Sequence, residues 1–117
     1  MTNMYALIYD TLLQLGYPVR EQGTYAEGEV LPETFVTYQV IDTPDVSHAD
    51  NLPTAWTVRI QVALYSKKPA IKQGAEAAIR DVMLPADFMR IGGRDLPYSQ
   101  ATGHYAYTCD YRYYDQA

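Results

Sequence analysis

With 117 residues, 48% of them apolar and 20% charged, the chain has the size and composition of one globular domain, which excludes a disordered segment. A net charge of −5, with Lys67 and Lys68 the only adjacent cations, excludes the clustered basic surface that sequence-independent nucleic-acid binding needs. One cysteine, Cys109, excludes an internal disulfide and fits a reducing compartment.

The first element is a helix from about Met4 to Leu15, with Thr2 or Asn3 as N-cap, Gly16 just past its end and Pro18 blocking continuation. Met4, Leu7, Ile8, Leu12 and Leu15 recur at helical spacing and form one apolar stripe. Asp10, Thr11 and Gln14 interrupt the apolar residues, so the segment reads as neither signal peptide nor membrane span. A short extended piece around Val19 leads into a loop bearing Gly and Glu. The run Thr34–Ile41 is a strand with Phe35, Val36, Tyr38, Val40 and Ile41 on both faces, as expected of an inner strand covered on both sides.

The polar stretch Asp42–Pro53 reads as a long loop, ordered by contact with a neighbour. After it, Trp56, Val58, Ile60, Val62 and Leu64 alternate with Thr57, Arg59, Gln61, Ala63 and Tyr65, so one face of this strand belongs to a core. It should pair antiparallel with Thr34–Ile41. A second helix follows Pro69, with Ile71, Ala75, Ala78, Ile79 and Val82 as its stripe and Pro85 beyond its end. The rest reads as "FMRI", a turn "GGRD", "LPYS", a loop, and a long final strand. The expected fold is α+β: a single domain over residues 1–117, with two helices on an antiparallel or mixed sheet.

No grouping of residues has the spacing of a catalytic or metal site, so the expectation is a non-enzyme without cofactor or metal. His48 between Asp45 and Asp50 lacks a second ligand at fixed helix or hairpin spacing. His104 and Cys109 are five apart on a strand, which puts them on opposite faces, unable to form a nucleophile–base pair. Glu27, Glu29 and Glu33 fall in a loop with nothing to shift their acidity.

The most unusual count is twelve tyrosines against two phenylalanines. Tyr105, Tyr107, Tyr111 and Tyr113 share one face of the final strand. That face is either an ordinary core whose hydroxyls reach the rim, or a surface buried on assembly.

Taken together, "MYALIYDTLLQLGYPV", "LPETFVTYQV", the polar stretch, "WTVRIQVALYSKKP", "AIKQGAEAAIRDVM" and the aromatic terminal strand resemble the small tail-completion or tail-terminator proteins of long-tailed bacteriophages and prophages. The resemblance implies a structural protein of the virion tail, assembled in the host cytoplasm. It implies a ring of about six copies that stops tube growth and meets the major tail tube protein and the head–tail connector proteins. Carried over by position, contacts would fall on the Val19–Pro32 loop, with Tyr25 and Glu27, and on the Asp42–Pro53 loop, with Asp45, Val46, His48 and Asp50; the tyrosine face is an interface candidate on its own residues. Neither specific nucleic-acid binding nor a membrane is implied. Other readings are a head-to-tail joining ring and a monomeric cytosolic module that binds a small ligand in a tyrosine-lined pocket.

Overall fold

A computed structural model describes the backbone of residues 3–42, 45–49 and 52–116; side chains are described for all of these except 45–49, 52–56, 115 and 116. Helix α1 spans Met4–Leu13 and is capped by Asn3, whose side-chain oxygen accepts the Ala6 N–H at 3.3 Å. It stops two residues short of the expected end. The chain turns through Gly16 at φ +84°, a left-handed conformation that glycine adopts without Cβ strain. Met4, Ile8, Thr11 and Leu12 are buried, and Leu7 and Leu15 pack at the margin of the core.

The strands are β1 (Val19–Glu21), β2 (Thr34–Asp42), β3 (Asp45–Ala49), β4 (Leu52–Ser66), β5 (Met89–Ser99) and β6 (His104–Gln116). They form one sheet in the order β1-β2-β4-β6-β5, with β3 also paired to β4. β1 runs parallel to β2 and every other pairing is antiparallel, so the sheet is mixed. The expected pairing of Thr34–Ile41 with the alternating strand is present, from Thr34↔Ser66 to Val40↔Ile60.

Three helices lie on the sheet, not two, because the second expected helix is broken. α2 spans Pro69–Gln73 and α3 spans Ala75–Met83, with Gly74 between them at φ −88°, ψ 1°. Glycine is a poor helix former, and here its ψ departs from helical geometry. With its helices on a sheet of largely antiparallel strands, the fold is α+β.

The core follows the alternation. On β4 the residues Val58, Ile60, Val62 and Leu64 are buried, with the Trp56 side chain outside the described residues. The antiparallel register sets Leu64 between Val36 and Tyr107, Val62 between Tyr38 and Cys109, and Ile60 between Val40 and Tyr111. Ile8 and Leu12 of α1, Ile79 and Met83 of α3, and Phe88 complete this layer, all at 2% exposure or less.

Two expectations are corrected. The stretch Asp42–Pro53 is largely strand rather than loop: β3 forms an antiparallel hairpin with the start of β4. Residues 43, 44, 50 and 51 lie outside the description. Likewise "GGRD" is no hairpin turn, because β5 runs unbroken through it, with register irregularities between Arg90 and Gly92 and between Leu96 and Ser99. Gly93 is there for close approach: a Cβ would collide with the ring and hydroxyl of Tyr107. Pro97 is tolerated because β5 is an edge strand and pairs only with β6.

β4 has 15 residues and extends about 50 Å, whereas α1, of 10 residues, extends about 15 Å. No helix of this length can shield the whole strand, and the second face of the sheet is outside the helical core.

Candidate functional site

The face opposite the helices is assembled from the other half of each alternation: Phe35, Thr37 and Gln39 of β2, Thr57, Arg59, Gln61, Ala63 and Tyr65 of β4, and Ala106, Thr108, Asp110, Arg112 and Tyr114 of β6. Its two ends differ in chemistry. At one end Phe35 stacks on Tyr65 with ring centroids 4.8 Å apart, and Tyr25 and His104 meet Phe35 edge-on at 5.1 and 5.2 Å. The loop between β1 and β2 covers this cluster. Pro32 O accepts from His104 Nε2 at 2.9 Å, and the Arg20 guanidinium sits 4.2 Å from the Tyr25 ring centre. Glu29 anchors the loop by accepting from the Ala26 N–H and pairing with Arg20, and these contacts hold its carboxyl below the usual range.

The other end is polar and open. Gln39 Nε2 donates to Gln61 Oε1 at 2.7 Å, Gln61 Nε2 donates to Asp110 Oδ1 at 3.3 Å, and Arg59 donates to Asp110 Oδ2 at 2.7 Å. The result is one hydrogen-bonded row across β2, β4 and β6. The Asp110 carboxylate raises the affinity of Arg59 for its proton, so the guanidinium is a fixed positive charge. Beside this row lies a depression of about 230 Å³ lined by Arg59, Gln61, Ile91, Arg94, Thr108 and Asp110. It exists because Gly92 stands opposite Asp110 with no side chain, and a Cβ there would meet open space.

The residues singled out from the sequence do not come together as one site. Asp45, Val46 and His48 are on β3, with their side chains outside the described residues, and Asp50 is wholly outside them. Tyr25 is tucked onto Phe35, whereas Glu27 is exposed in the same loop. The tyrosine face turns inward. Tyr107 and Tyr111 are core residues, at 7% and 0% exposure, which decides between the two readings of that face at these positions. Tyr105 and Tyr113 are partly buried, against Tyr98 and Phe88. What the sequence reading missed is the row Gln39–Gln61–Asp110–Arg59. Alternation puts Arg59 and Gln61 on the second face of β4, but only the cross-strand register brings Asp110 to them.

His104 and Cys109 lie on opposite faces, as expected, the first in the aromatic cluster and the second in the core. Burial, chiefly, pushes the Cys109 thiol up to about 12, and its Sγ–H points to Val62 O at 3.7 Å. A thiol in that state is no nucleophile at neutral pH. Native protein should therefore react with a thiol reagent only as fast as it opens, and denaturant should release the full reaction. Because the folded pKa is raised, the protonated thiol favours the native state below about pH 9, and that contribution is lost as pH rises towards about 12. Reaction of native protein at the rate of a free thiol near pH 8 would contradict the buried placement.

Among the described residues no cluster of three or more His, Cys, Asp or Glu could hold a metal ion, and no helix is long and apolar enough to cross a membrane. No protein-family model and no curated protein sequence matches the chain.

Proposed function

We propose that this chain is a ring-forming structural protein of a long-tailed phage or prophage, which caps the head-proximal end of the tail tube and joins the tail to the head connector. The phage assignment rests on the resemblance of its sequence phrases. The observation that carries the ring is the pair of unlike edges on its sheet. At one side β5, eleven residues long, pairs among the described residues with β6 alone. At the other, β1 covers only Val36, Thr37 and Tyr38 of β2, so among the described residues the outer side of β2 beyond Tyr38 has no neighbouring strand. Unpaired strand edges invite addition of another strand. Joining two different edges head to tail is a heterologous contact, which generates a ring when the rotation closes.

The acidity suits a conduit for DNA. Six copies at −5 would give a ring of roughly −30, which repels phosphates near its wall. A head-to-tail joining ring would use the same geometry with a different neighbour. The ligand-module reading is not favoured, because Tyr107 and Tyr111, which it would place around a pocket, are packed in the core.

The experiment is tube growth. Major tail tube protein polymerising in vitro should give shorter tubes, each carrying a ring of this chain at one end, when this chain is added. Tubes of unchanged length carrying none of the chain would overturn the capping role.

A further inference from the structure

We infer that the depression on the open sheet face is a receptor for a carboxylate side chain presented by another protein chain. This goes beyond the ring proposal and does not depend on it. The walls carry two guanidinium groups, Arg59 from β4 and Arg94 from β5, with the single carboxylate of Asp110 between their strands. Asp110 is already held by Arg59 and by Gln61. Among the groups lining the depression one positive charge is therefore left over. Just outside it Asp42 acts on Arg59 from β2 and Arg112 stands opposite Arg59 on β6, so the two cancel, on a chain whose net charge is −5.

The donors are unequally used. Arg59 spends one terminal nitrogen on Asp110, and its Nε is shielded from solvent with no acceptor among the described residues. Arg94 is exposed and makes no ion pair among the described residues. Guanidinium donors favour a planar acceptor with two oxygens, which a carboxylate supplies.

The shape narrows the choice further. The gap is open because Gly92 lines it with backbone alone, and Ile91, 41% exposed, supplies an apolar wall. A carboxylate on a short methylene stem, as in glutamate, would lay the stem on Ile91 and the charge between the arginines. A doubly charged phosphate monoester would face the Asp110 carboxylate with more charge than the site has left to neutralise. Duplex DNA would meet the repulsion of the whole chain.

The test is a titration of the full chain, followed by NMR of the arginine Nε–H groups and the Gly92 and Gly93 amides. The probe is acetyl-Ala-Glu-Ala-amide, with acetyl-Ala-Gln-Ala-amide and sodium propionate as controls at the same ionic strength. The glutamyl peptide should shift Arg59, Arg94, Gly92 and Gly93 saturably in the millimolar range, with the other two at least tenfold weaker. Arg94→Gln, an exposed substitution, should keep the native amide spectrum and weaken the glutamyl response about tenfold, which is about 1.4 kcal/mol. Equal shifts from the glutaminyl peptide, no shift at all, or an unchanged response in Arg94→Gln would overturn the proposal. Propionate binding as tightly as the peptide would overturn the protein source and leave a site for small carboxylates.

Discussion

Replacing Tyr111 by alanine is expected to cost about 3–5 kcal/mol, a large part of what holds a domain of this size together. The ring is fully buried in the helix-covered layer, opposite Ile60 and beside Cys109, and its removal leaves a cavity the sheet cannot collapse to fill. The companion substitution Tyr111→Phe separates packing from polarity. The Tyr111 hydroxyl is buried without a hydrogen-bond partner among the described residues, and burial raises its pKa. Deleting an unsatisfied hydroxyl removes a desolvation cost of about 1–3 kcal/mol, so the phenylalanine variant should be at least as stable as the parent. Chemical denaturation of the two variants measures both. A loss above about 1 kcal/mol for Tyr111→Phe would show that the hydroxyl is hydrogen-bonded.

Neighbouring residues of β4 provide the second contrast. Ile60 has no exposed surface and sits at the centre of the sheet, so Ile60→Ala should cost about 2–5 kcal/mol. Gln61, one residue along, faces away from the helices. From the sequence it reads as a half-wet position of little consequence. In the fold it bridges Gln39 and Asp110, and Gln61→Ala should cost about 1 kcal/mol through loss of those bonds. The order of the two variants in denaturation is the readout. A larger loss at Gln61 than at Ile60 would mean the sheet's two faces are assigned the wrong way round.

These two positions also show what was legible in the sequence. Alternation from Val58 to Leu64 identified the buried face of β4, because a period of two leaves only one way to place apolar residues. The α1 stripe was legible for the same kind of reason, at period 3.6. β3 was not: its composition is that of a loop, and it becomes a strand by pairing with β4, a long-range event that no local pattern records. Gly92 and Gly93 looked like a turn because glycine breaks strands in general. Here Gly93 makes room for Tyr107, a residue fourteen positions away. The inward turn of Tyr107 and Tyr111 was open from sequence, since tyrosine suits a core rim and an interface equally. The polar row and its depression depend on register between β4, β6 and β5, so the single chain could show the residues without showing that they meet.

The proposed ring requires that two unlike sheet edges join copies of this chain. The most direct test is the mass of the purified full chain in solution, followed by sedimentation from micromolar to millimolar concentration. A subunit of 13.3 kDa should give way to one closed species of roughly 80 kDa if six copies close the ring. Arg94→Pro on the outer strand β5 should shift that equilibrium back to monomer while the amide spectrum of β4 and β6 stays native. A 13.3 kDa monomer at every concentration, alone and with tail tube protein present, would contradict the account.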